Sequence, residues 1–152
     1  MDVVKFMPQH LMKVKTREMV HVLPGLPDLV TRAELYAAKG PAMSLFDQHG
    51  QLIACTGALM IHEYFGEAWV ITTPLVEDRK NHLGFHRFAL KGIEILFDVY
   101  KIKRLQASVK LNWTKAVQWA SRLGFVSEGV MPAFAPDGSD YIRMAIVRNN
   151  NG

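Results

Sequence analysis

Cysteine is nearly missing from this chain: Cys55 is the single one in 152 residues, which rules out an intrachain disulfide or a cluster of several thiolates around zinc. It stands in an apolar, strand-like stretch, where an inert buried thiol is expected rather than a nucleophile. No run approaches the roughly 20 apolar residues that span a bilayer. The N-terminus also lacks the basic start, apolar run and small-residue cleavage site of a secretion signal. A cytoplasmic protein with no membrane partner is expected. There is no arginine-rich tail and no aromatic-basic repeat, so nucleic acid ranks second among anionic partners despite the formal charge of +4. His82 and His86 find no second histidine or carboxylate at a metal-ligand spacing, and no metal is assigned. With no linker, repeat or low-complexity segment, residues 1–152 read as one domain with a frayed tail at 149–152.

What is present is an ordinary core composition, 49% hydrophobic and 21% charged, arranged in alternating strand-like and helix-like segments. A short β-branched run at residues 3–6 predicts a strand. Pro8 then opens a helix reaching about Val22, which Pro24-Gly25-Leu26-Pro27 breaks. Asp28 or Thr31 caps a second helix, with Glu34 at the capping-box distance from Thr31, and Gly40-Pro41 stops it. Residues 43–46 and 52–61 predict a hairpin across the turn at 47–50, with Gly57 a bulge or a point of close backbone approach. After a turn at 63–66, residues 68–73 extend the sheet until Pro74 removes a ladder donor. Apolar residues fill most of the helical circumference over 85–100, leaving Arg87, Lys91, Glu94 and Asp98 as a narrow polar stripe. A heavily buried helix is expected there.

Residues 105–109 predict a strand, 113–123 a helix, and 125–130 with 141–147 a closing antiparallel pair turned at Asp137-Gly138. Gly124 suits a helix C′ position that needs positive φ. The resulting order is β-α-α-β-β-β-α-β-α-β-β, an α/β fold whose mixed, mostly antiparallel sheet holds a central βαβ unit over 68–109.

That order, closing on Leu123-Gly124-Phe125, Glu128-Gly129 and the strand at 141–147, resembles the GNAT superfamily of acetyl-CoA-dependent N-acetyltransferases. In that family a Q/R-x-x-G-x-G/A pattern wraps the pyrophosphate of coenzyme A, and the matching segment here is Asn81-His82-Leu83-Gly84-Phe85-His86, followed by Arg87. Only the first glycine of the pattern agrees, while Arg79, Lys80, His82, His86 and Arg87 offer positive charge. Free amides at a helix N-terminus would favour an anion at this place. The resemblance further implies that backbone groups near Leu75 and Val76 meet the acetyl and pantetheine portion where two strands part after 72–74, and that Asn112 bonds along the pantetheine. Asn112 as a plain helix cap, and residues 79–87 as a plain solvated basic loop, stay open beside those readings.

Acetyl transfer needs a base for the amine and an acid for the leaving thiol. The strand interior 69–73 holds no carboxylate, so Glu67 at its entry is the candidate base, with Glu63, His62, Glu77 and Asp78 nearby. At the position where relatives place an acid tyrosine this chain has Ala120 or Trp119, which leaves Tyr141, and by residue type Tyr100. Two functions follow. One is an N-acetyltransferase using acetyl-CoA and a primary amine of a small molecule or protein. The other is a GNAT-fold protein that has lost catalysis, an internal virion or assembly component like small GNAT-like bacteriophage proteins, which residues 54–147 resemble; its partners would be virion or host proteins. The apolar, proline-containing stretch 131–139 would line an acceptor pocket or a homodimer contact.

Overall fold

The computed structural model describes residues 1–12, 17–18 and 29–149. Among these residues the elements follow one another as β1 (Asp2–Lys5), α1 (Gln9–Met12), β2 (Arg17–Glu18), α2 (Leu29–Ala38), β3 (Ala42–Phe46), β4 (Leu52–His62) and β5 (Phe65–Thr72). Then come a 3₁₀ turn at Pro74–Glu77, α3 (Arg79–Asp98), β6 (Arg104–Lys110), α4 (Thr114–Arg122), β7 (Val126–Met131) and β8 (Tyr141–Val147). The sheet runs β1-β3-β4-β5-β6-β8-β7, with β2 added on β5. Every adjacent pair is antiparallel except β5 with β6, whose crossover is α3. The mixed sheet with its central βαβ unit is therefore as expected.

Local signals explain most of the ends. The Asp47 carboxylate accepts from the amides of His49 (2.8 Å) and Gln51 (2.9 Å), closing the β3–β4 turn. Gly57 is a point of close approach: a Cβ there would stand 2.4 Å from the Pro41 carbonyl oxygen. Helix α4 ends in a Schellman arrangement, with Gly124 at φ 106°, its N–H on the Ser121 carbonyl (3.0 Å) and that of Phe125 on Ala120 (3.1 Å).

Four expectations need correction. The first helix does not reach Val22, because Arg17 and Glu18 pair as a strand with Thr72 and Ile71; the predicted break at 24–27 and the Asp28 cap lie outside the described residues. Thr31 is the third residue of α2 rather than its cap, since the helix already starts at Leu29. The hairpin turn at 63–66 is tighter than expected, with Phe65 and Gly66 already in the ladder opposite His62 and Met60. Helix α3 is not buried all round: Phe85, Ile93 and Phe97 are, while Leu83, Leu90 and Ile95 face solvent, so a single stripe carries the packing.

Two cores lie on opposite faces of the sheet. Phe6, Leu11, Tyr36, Trp69 and Ile71 pack beneath α1 and α2. Val70, Phe85, Phe97, Ala107, Val109 and Trp119 pack beneath α3 and α4. Strand alternation thus sends the even-numbered residues of β5 and the odd-numbered residues of β6 toward α3, and their neighbours toward α1 and α2.

Candidate active site

The decisive local feature is where β5 and β6 separate. Their parallel pairing covers only Phe65, Gly66 and Glu67 against Arg104, Leu105 and Gln106. Beyond Glu67 the strands diverge, earlier than the parting expected after 72–74. Further along, the edge of β5 at Ile71 and Thr72 is taken by β2, while the other edge is filled by β4 along its whole length. Residues 68–70 are left between these two pairings. The outer end of β5 is tied down by the Thr73 hydroxyl, which donates to the Leu52 carbonyl oxygen at 2.6 Å.

Glu67 occupies the vertex of this parting. It is 7% exposed and receives a hydrogen bond from the Ser108 hydroxyl (3.0 Å) and one from the Gln106 side chain. Gln106 is oriented in turn by Arg104, whose Nε and NH2 groups donate to its Oε1 at 3.0 and 2.8 Å, and Arg104 is held by Glu128. Burial pushes the Glu67 carboxyl up; the bonds from Gln106 and Ser108 and the charges of Arg143 and Arg104 oppose that. A carboxylate raised in this way, on the face of α1 and α2, suits a general base.

Tyr141 shares that face of the sheet but not that place. It pairs with Lys110, four residues along β6 from the partner of Glu67, or about 13 Å at the strand rise. Its ring is buried under Phe134, at 5.4 Å between centroids. The two candidate catalytic residues are therefore not brought to one reacting atom. Tyr100 is exposed at the far end of α3, and Cys55 is fully buried, its thiol pushed up to about 11 by desolvation.

The phosphate turn expected at 81–87 is helical. Asp78 caps α3, its carboxylate accepting from the amides of Lys80 (3.0 Å) and Asn81 (3.3 Å), so Asn81, His82, Leu83, Gly84, Phe85, His86 and Arg87 fall within the helix. The amide of Asn81, the first residue of the expected pyrophosphate turn, thus already holds a carboxylate, as does that of Lys80 before it. Gly84 is covered by Met1, whose Cε would stand 2.6 Å from a Cβ placed there, and Phe85 is core. At Leu75 and Val76 one backbone group of each is already engaged. The Leu75 carbonyl accepts from the Asn81 amide side chain (3.0 Å) and from the Asp78 N–H (3.2 Å), and the Val76 N–H bonds Thr73 (3.1 Å), because Pro74 starts a 3₁₀ turn.

Some of these residues nevertheless converge. A cleft of about 720 Å³ lies between the start of α3 and the start of α4, lined by Val76, Glu77, His82, Asn112, Lys115 and Trp119 among others. Asn112 does not cap α4: the N-cap position is Trp113, without a side-chain bond. The opening amides of α4 are therefore free of a side-chain cap and lie beside Lys115 at the cleft. At its inner wall the Trp119 indole donates to His86 Nδ1 (3.0 Å). Desolvation, then the nearby charges of His82 and Arg122, hold His86 below the ordinary histidine value.

No known family's sequence model matches this chain, and no curated protein does. Solved structures do. A point mutant of the spermidine N-acetyltransferase SpeG from Vibrio cholerae is similar over 96% of this chain and 92% of its own, at 17% identity and a TM-score of 0.69. The ribosomal-protein-S5-alanine acetyltransferase from Vibrio fischeri is similar over 80% and 69%, at 16% identity and a TM-score of 0.64. The chain has the GNAT fold. At such identities the likeness concerns architecture, and the parted β5 and β6 are a feature of this chain's own pairing.

Within this GNAT fold a second, apolar cavity of about 530 Å³ lies between α3, α4 and the sheet. Ala68 and Val70 of β5, Ala107 and Val109 of β6, Gly92 of α3 and Ala120 of α4 are among its lining. Sealed and dry, a void of that size would cost about 13 kcal/mol at the measured rate for engineered cavities, comparable to the whole stability of an ordinary domain. It is not sealed: the exposed residues Val3, Lys91, Ile95 and Tyr100 are among its lining. Sequence reasoning missed this cavity, and it missed Gln106, Ser108 and the Arg104–Glu128 pair. The signal for the polar residues was present, as Gln106 and Ser108 alternate with Leu105, Ala107 and Val109 on a strand whose polar face had to bury something.

Proposed function

We propose that the chain is an acetyl-CoA-dependent N-acetyltransferase acting on a primary amine of a small molecule or protein. The observation that carries this reading is the parting of β5 and β6 with a buried, hydrogen-bonded Glu67 at its vertex. The amine approaches on the face of α1 and α2, where Glu67 takes its proton as the nitrogen attacks the thioester carbonyl carbon. The C–N bond forms, the C–S bond breaks, and the proton held by Glu67 passes to the departing thiolate, so that coenzyme A leaves as the thiol. His82, Asn112, Lys115 and the uncapped start of α4 are the groups in the cleft suited to the cofactor's phosphates and pantetheine amides. A homodimer through residues 131–139 accompanies this reading as an expectation for a mass measurement in solution.

Thermal melting of the full chain with acetyl-CoA tests the reading: at about 100 times its Kd the ligand adds about 2.7 kcal/mol to stability. No shift at millimolar cofactor sinks it. Release of free thiol across a panel of amines then reports turnover. One observation favours a second reading, a GNAT-fold binding component without turnover that serves in bacteriophage assembly, in line with the resemblance of residues 54–147. Asp78 sets a negative charge at the start of α3, where the family binds its pyrophosphate. In that case binding and thiol release are both absent.

A further inference from the structure

Resting on the acyl-transfer reading, we propose that the donor carries a medium-length saturated acyl chain rather than acetyl alone, and that the chain lies in the apolar cavity beneath α3. The cavity touches both strands of the parting, through Ala68 and Val70 on one side and Ala107 and Val109 on the other. It shares Ala116 and Trp119 with the cleft between α3 and α4, so a thioester arm lying in that cleft reaches the cavity past one indole ring. Small residues, among them Ala68, Ala107, Gly92 and Ala120, leave room between the larger side chains of its wall, such as Phe88, Leu105 and Phe125. Gly92 faces open space, with nothing within 4 Å of the position a Cβ would take.

The two faces of the vertex divide the reactants by chemistry. Even-numbered residues of β5 and odd-numbered residues of β6 offer only hydrocarbon to the cavity, whereas Glu67, Gln106 and Ser108 point the other way. A thioester carbonyl at the vertex then has its alkyl chain on the α3 side and its attacking amine on the Glu67 side. The transfer is unchanged in its balance: C–N forms, C–S breaks, and the amine proton leaves through Glu67. The cavity volume falls within the range of small-molecule sites, and apolar walls keep such a space dry for an alkyl chain. A free fatty acid could use the same walls by entering beside the exposed Lys91, with its carboxylate there. The shared Ala116 and Trp119 favour the thioester.

Titration calorimetry on the full chain with coenzyme A, acetyl-CoA, decanoyl-CoA below its micelle-forming concentration, and decanoate separates the possibilities. Decanoyl-CoA is expected to bind at least about 100-fold more tightly than acetyl-CoA, from methylene groups moved out of water. Gly92→Leu, which places a side chain in the cavity, lowers the ratio of decanoyl-CoA to acetyl-CoA affinity by at least about tenfold. Ala89→Leu provides the same reading from the next turn of α3 should the first variant not fold. Equal affinity for acetyl-CoA and decanoyl-CoA overturns the inference and leaves N-acetyl transfer standing. Decanoate binding as tightly as decanoyl-CoA overturns the thioester in favour of a free acid. Failure of every coenzyme A species to bind removes the acyl-transfer reading itself.

Discussion

The two faces of the sheet are built to opposite standards. Beneath α1 and α2 the Trp69 indole is stacked on Tyr36 at 4.1 Å and 10°, and Phe6 meets it edge-on at 5.3 Å. The same face carries the Glu67, Ser108, Gln106 and Arg104 hydrogen-bond chain. Beneath α3 and α4, small residues such as Ala68, Ala107, Gly92 and Ala120 leave an open space among larger apolar side chains. Rigid aromatic packing suits a surface that must hold a carboxylate and an amine in register, since small displacements at a reacting centre are expensive. A loose, hydrocarbon-lined face can receive a ligand without unpairing a polar group. The sheet is the partition between a positioning surface and a receiving one.

The comparison breaks first at Glu67. Glu67→Gln keeps the shape of the vertex and is expected to lower amine acetylation by about 10²- to 10⁴-fold while coenzyme A binding, measured by calorimetry, stays in place. It also has a stability signature. Burial raises the Glu67 carboxyl above its unfolded value, so its contribution to stability is full below the ordinary glutamate pKa and is lost as pH rises through the raised one. The glutamine variant therefore gains melting temperature over the native chain at neutral pH and not at acid pH.

Next in size is the tight face: Trp69→Ala, at a residue with no exposure, is expected to cost about 3–5 kcal/mol in denaturant unfolding. The loose face should respond in the opposite sense. Gly92→Ala adds a methyl group that meets nothing and removes a helix-interior glycine, so about 0.5–1 kcal/mol of stabilisation is expected in the same assay. A loss of similar size at Gly92 would mean that the two faces are equally well filled.

Much of the fold could be read from local chemistry. Gly124 and Gly138 announce their turns through positive φ that few other residues adopt, and the turn at Asp137-Gly138 makes the strand Tyr141–Val147 legible after it. The site was legible only in part. Glu67 is legible because it stands at the entry of a strand whose interior holds no carboxylate, yet its partners Gln106 and Ser108 come from a strand some forty residues on, through a register that no local pattern encodes. The start of α3 was misplaced for a related reason. Asp78 reads equally as a loop residue and as a cap until the amides of Lys80 and Asn81 are seen to turn toward it. The cavity was invisible because each small residue along β4, β5, β6, α3 and α4 is ordinary by itself, and only their meeting in space makes a vacancy.

The short pairing of Arg17–Glu18 with Ile71 and Thr72 turns the parting from a slot into a window. A slot open at one end lets an elongated molecule slide in sideways along its whole length. A window framed by the β6 rungs at Glu67 and the β2 rungs at Ile71 admits a chain only end-on, unless β2 lifts away. Donor and acceptor can then meet through the sheet without sharing an entrance, and the rate at which two hydrogen-bonded residues let go would govern how often the partition opens.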